Sequence, residues 1–178
     1  MHSSQYLHMK RALEKYLPAD RHLEVLELGS ANSPGQTRTH RSLFDGIDQC
    51  VAGNRLGDVS HAIQTRVEAD GFSVIRSLVG HGIGREMHED PQIPNFGDPG
   101  TGPELEEGMV LAIEPMVNVG THHVRMGSDN WAVYSEDGSL AAHFEHTVAI
   151  TGEGPRILTP WHLSEAEPLQ AATLSGRR

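Results

Sequence analysis

Three short segments in the second half of the sequence each set a histidine or a glutamate in a glycine-rich or apolar frame. They are Gly80-His81-Gly82-Ile83-Gly84, Ala112-Ile113-Glu114-Pro115-Met116 and His143-Phe144-Glu145-His146-Thr147. A neutral imidazole and two carboxylates brought together from separate segments are what a hydrolytic divalent-metal site requires, with coordination left open for water. A histidine between glycines has little steric cover, so backbone can approach a ligand closely there; taken alone, His81 could equally be a solvated turn residue. Glu114 interrupts Val110-Leu111-Ala112-Ile113, where an unpaired buried carboxylate is costly; the plain alternative is an edge-strand glutamate facing water. Glu145 repeats the pattern between Phe144 and Val148, with His146 directed to the other side. His88, seven residues beyond His81, could donate to a substrate carbonyl or be an ordinary loop histidine.

These segments need a sheet to position them. Periodicity predicts a helix over 5–17, a strand over 22–28 and a Gly/Ser/Pro loop over 29–35. Further on it predicts a helix over 42–50 and a second over 56–69 with Leu56, Val59, Ile63 and Val67 on one stripe. From Phe72 the period becomes two, giving a strand that ends at Gly80, and residues 90–104 carry too many prolines and glycines for a regular element. Met109–Val117 reads as one strand broken only by Glu114 and Pro115. Strands at 124–126, 131–135, 143–151 and 157–158 complete a strand-rich half. A change of character near residues 38–44 separates an atypical segment, 1–43, from a helix-plus-antiparallel-sheet domain, 44–160; a polar tail, 161–178, is expected to be disordered.

The 178 residues suffice for one ordinary domain. A formal charge of −10 argues against nucleic acid or an anionic membrane as partner. The single cysteine, Cys50, excludes an internal disulfide, and the absence of a signal-like or membrane-spanning run points to the cytoplasm.

From about Phe44 to Thr159 the chain resembles the C-terminal part of type I methionine aminopeptidases, carried by VAGNRLGDVSHAIQ, VGHGIGREMHEDPQIPNFG, GMVLAIEPMVN and HFEHTVAIT and by their separations. The resemblance implies an α+β, pita-bread half: a curved antiparallel sheet with helices on its outer face. It implies His81, Glu114 and Glu145 as metal ligands, with Glu145 bridging where two ions bind. It also implies His88 and Glu114 as catalytic residues, His88 contacting the scissile peptide, and Trp131 and Met87 beside the methionine side chain. The implied reaction is hydrolytic removal of initiator methionine from peptide or nascent-protein N-termini, with a divalent ion (Mn, Fe, Co or Zn) activating water.

The family also draws two aspartate ligands and a histidine from an upstream segment, whereas residues 1–43 contain only Asp20. One tightly held ion per chain, impaired activity and a partner chain covering the exposed half-domain face are therefore expected. A non-catalytic relic or binding module is the alternative. LEVLELGSANSPGQ is faintly similar to the first strand and glycine loop of class I S-adenosylmethionine methyltransferases, with Glu27 and Gly29 where the cofactor loop begins, and a methyltransferase-like fragment is the third reading.

Overall fold

The computed structural model describes residues 34–159, so the expected helix at 5–17, the strand at 22–28 and the polar tail lie outside the described residues. Two helices come first, α1 (Pro34–Ile47) and α2 (Leu56–Ala69). Ten short strands follow: β1 (Ser73–Val74), β2 (Gly80–Gly82), β3 (Glu89–Ile93), β4 (Val110–Ile113), β5 (Met116–Asn118), β6 (Val124–Met126), β7 (Val133–Ser135), β8 (Ala141–His143), β9 (His146–Thr151) and β10 (Gly154–Ile157). They form a five-stranded sheet, β10-β9-β4-β2-β3, a three-stranded sheet, β1-β5-β8, and a hairpin, β6-β7, with every pairing antiparallel.

The α2 stripe is buried as its spacing predicts: Leu56, Val59, Ile63 and Val67 all join the core with Leu43, Ile47 and Cys50 from the α1 side. Each such side chain contributes roughly 1.5–3 kcal/mol when fully removed from water. The two helices approach so closely that a Cβ on Gly46 would stand 2.6 Å from Ile63 Cγ1. Arg66 on α2 and Asp45 on α1 add a surface ion pair across the crossing. At the start of α2 the Asp58 carboxylate accepts from the amides of Arg55 (2.8 Å) and Gly100 (2.7 Å), which holds its carboxyl below the usual carboxylate range. Among the described residues no helix is long and apolar enough to cross a membrane.

Several elements differ from the sequence reading. Helix α1 begins at Pro34, inside the expected loop, because proline at the first helical position sacrifices no intrahelical bond; it ends at Ile47 and runs through the expected join at 38–44. The single strand expected from Phe72 to Gly80 is two strands in different sheets, β1 pairing with β5 and β2 with β3 and β4. Residues 89–93 form a strand despite Pro91; β3 is a sheet edge, where a missing N–H is tolerated. The expected strands at 109–117 and 143–151 are each broken in the middle, and those breaks build the site. The strand expected at 131–135 starts at Val133, leaving Trp131 in the preceding turn, and the last strand is Gly154–Ile157.

Candidate metal centre

The chain changes sheets twice at the same place. On one pass β4 of the five-stranded sheet becomes β5 of the three-stranded sheet across Glu114-Pro115; on the other, β8 becomes β9 across Phe144-Glu145. The passes are antiparallel neighbours, with Ile113 opposite His146 on one side of the seam and Met116 opposite His143 on the other. Pro115, which has no N–H to give a ladder, sits in the seam, and its carbonyl accepts from Phe144 N at 3.3 Å. Phe144 and His146 are buried, so Glu145 between them emerges on the opposite, exposed side.

Strand β2 brings the first histidine. His81 pairs with Ala112, two residues before Glu114 and therefore on the same side of the strand, and its Nε2 lies 3.7 Å from Glu114 Oε1. Its Nδ1 is 2.9 Å from the Gly82 carbonyl oxygen. That oxygen can only accept, so Nδ1 carries the proton and Nε2 presents its lone pair towards Glu114 when the ring is neutral. The flanking glycines are required by the close approach of neighbouring backbone. A Cβ on Gly80 would meet the Ala112 carbonyl oxygen at 2.2 Å, and one on Gly82 would meet the Asp90 oxygen at 2.2 Å.

A second imidazole, absent from the sequence-based ligand set, stands on the other side of Glu114. His143 Nε2 lies 3.3 Å from Glu114 Oε2, so each oxygen of this carboxylate faces one histidine. Glu114 is 14% exposed and His143 43% exposed. Glu114, His143 and Glu145 offer ligand atoms that all lie within 4.8 Å of one another. The signal for His143 was available: it stands two residues before Glu145, the period at which strand residues share a face.

The remaining candidates are placed less tightly. The His88 ring stacks obliquely on His81, with centroids 4.1 Å apart, but His88 itself is exposed. Met87 is 69% exposed and Trp131 87% exposed, so among the described residues neither is a wall of a closed pocket. An open depression between Asp48, Val51 and the Gly152–Pro155 turn contains none of these residues. Cys50 lies buried away from this group, and burial and then the nearby Asp48 charge push its thiol up to about 12.

The donor set fits a divalent ion. Two carboxylates with a borderline imidazole accept first-row metals and zinc, and donors sharing one ion stand about 3–4 Å apart, so the 4.8 Å group needs only a small contraction.

Fold and site together define an α+β protein of pita-bread type with a carboxylate–imidazole centre at a seam between two antiparallel sheets. Residues 35–152 match the metallopeptidase family M24, and the chain belongs to that family. It is 60% identical over 121 residues to a methionine aminopeptidase of Clostridium acetobutylicum, a match covering 68% of this chain and 48% of that protein. It is 56% identical over 121 residues to methionine aminopeptidase 1 of Bacillus subtilis, covering 68% of this chain and 49% of the relative. The crystal structure of methionine aminopeptidase from Thermotoga maritima superposes with a TM-score of 0.68 at 56% identity, over 69% of this chain and 49% of that one. The chain thus spans about half the length of the relatives it matches.

Proposed function

We propose that this chain carries the metal-binding part of an aminopeptidase that hydrolyses methionine from the N-termini of peptides and nascent proteins. The observation that carries the reading is the Glu114 carboxylate, mostly buried at the seam, with His81 and His143 on its two oxygens and Glu145 beside it. In this reading His81, Glu114 and Glu145 hold the ion, with His143 adjoining. A divalent ion bound there supplies Lewis acidity towards a peptide carbonyl and towards water. Glu114 and Glu145 balance the ion's charge, Glu114 holds a proton in transit, and His88, stacked on His81, reaches out from the site to donate to the scissile carbonyl. Met87 and Trp131 contact the methionine side chain once substrate gathers them. The net charge of −10 suits neither nucleic acid nor an anionic membrane.

Turnover by the 178-residue chain itself is slow in this reading. Groups that cooperate in catalysis act as a unit, so an incomplete set costs orders of magnitude, and the aromatic wall is open here. A partner chain covering the exposed half-domain face belongs to the same reading. The experiment is methionine release from Met-Ala-Ser with Mn²⁺ or Co²⁺ added. Release far below about 1 s⁻¹, abolished by chelator and by Glu114→Ala, supports the reading. Release that survives both refutes it. A chain that binds metal and peptide with no release supports the second reading, a non-catalytic binding module.

A further inference from the structure

We propose that Asn95 is the positioning residue for Glu114, a role that rests on reading Glu114 as a metal ligand. At the seam, three consecutive carbonyls are tied to three different parts of the chain. Met116 O accepts from Ile75 N at 2.9 Å, Pro115 O from Phe144 N at 3.3 Å, and Glu114 O from the Asn95 side chain Nδ2 at 3.1 Å. The first two donors are backbone; the third is an amide reaching across nineteen residues of sequence. The bond to Asn95 fixes the plane of the peptide that follows the Glu114 Cα. It thereby sets the direction in which the carboxylate leaves the backbone at the point where the β4 ladder has ended.

Asn95 is itself held. It is fully buried, and the loop that carries it is fastened to α2 on both sides. Ser60 Oγ donates to Pro94 O, Gly97 N donates to Gln64 Oε1 at 3.1 Å, and His61 Nδ1 meets Gly97 O at 3.2 Å. Helix α2, whose apolar stripe lies in the core, thus reaches the carboxylate through one amide. The amide is also only half used: among the described residues Asn95 Oδ1 is buried with no hydrogen-bond partner. Burying an unpaired polar oxygen is unfavourable, and an apolar side chain of the same shape would suit mere packing better. What the amide adds over a leucine is the donor to Glu114.

That contrast supplies the test, made on the full 178-residue chain. Asn95→Leu keeps the shape, removes the orphan oxygen and removes the donor. Asn118→Leu is the matched control, because Asn118 is equally buried, has an equally unpaired Oδ1, and spends its amide on Thr121 O and His123 O instead. The readouts are Mn²⁺ affinity by calorimetry and, without metal, the NMR shifts of the His81 and His143 rings that flank Glu114. Loss of an outer partner of a metal ligand typically weakens binding 10–100-fold. We expect a loss in that range for Asn95→Leu, displaced ring shifts, affinity within about twofold for the control, and partial recovery in Asn95→Gln. Ser60→Ala, which loosens the same loop more gently, shows a smaller change in the same direction and serves if Asn95→Leu does not fold. Affinity within about twofold and unmoved ring shifts for Asn95→Leu, or an equal loss in the control, would overturn the proposal. If the unmodified chain takes up no Mn²⁺, the metal reading itself fails, and the metal-free ring shifts still decide whether Asn95 positions Glu114.

Discussion

Gly80→Ala puts the packing around His81 to a direct test. Gly80 does not occupy the left-handed region, so the penalty is one of space alone: the new Cβ would stand 2.2 Å from the Ala112 carbonyl oxygen and 3.4 Å from Glu114 Cγ. Ordinary van der Waals separation requires a retreat of about 1 Å. Ala112 cannot supply it, because it is fully buried and paired on its other side with Thr147 of β9. The displacement falls on β2, which is joined to β4 through His81↔Ala112 and Gly82↔Leu111 and, just beyond its end, through Ile83 N donating to Val110 O. Overpacking of this kind costs about 1–3 kcal/mol, and a disturbed ladder bond adds about 1 kcal/mol, so a loss of about 2–4 kcal/mol is expected in urea unfolding. Because His81 rides on β2, divalent-ion affinity falls in the same variant. Gly152→Ala, whose Cβ would find only the Glu107 carboxylate at 3.4 Å, serves as the control and stays close to the parent. A Gly80→Ala chain within about 0.5 kcal/mol of the parent, with unchanged ion affinity, would refute the reasoning.

Ile63→Ala removes a fully buried side chain from the α1–α2 contact and should cost about 2–5 kcal/mol in denaturant unfolding; a smaller loss would mean that the helices close the gap. Asp137 accepts from Ser139 and from the Thr121 amide, which lowers its carboxyl from 3.8 to about 2. A lowered folded-state value gives stability that is present above pH 3.8 and lost as pH falls through about 2. Asp137→Asn should therefore lose part of the acid dependence of thermal unfolding between those values, and an unchanged acid limb would contradict it. His143→Ala should weaken ion binding by calorimetry, because its Nε2 faces Glu114 Oε2 at 3.3 Å; unaltered affinity would leave His81 as the imidazole that matters.

Where side-chain pattern alone decides the structure, the sequence was readable. The 3.6-residue stripe of α2 was plain, since a helix buries a face whose spacing any reader can count. Glu114 and Glu145 stood out because carboxylates in apolar frames need a reason. The strand breaks beside them were less visible: apolar runs on both sides of Glu114-Pro115 look continuous, and only pairing partners show that they belong to different sheets. The split at Phe144-Glu145 has no proline to announce it. The two-residue spacing of His143 from Glu145 was legible, but its approach to Glu114 arises from the register of β5 against β8, a long-range property. Trp131 and Met87 were placed by resemblance alone, and among the described residues both are exposed.

In the proposed function one divalent ion is held at the seam between the two sheets. Titration of the metal-free chain with Co²⁺, followed together by calorimetry and by the visible spectrum, tests it most directly. About one equivalent is expected, with the spectrum of a nitrogen- and oxygen-ligated ion, lost in Glu114→Ala and Glu145→Ala. No uptake, or two equivalents undiminished by Glu145→Ala, would contradict it.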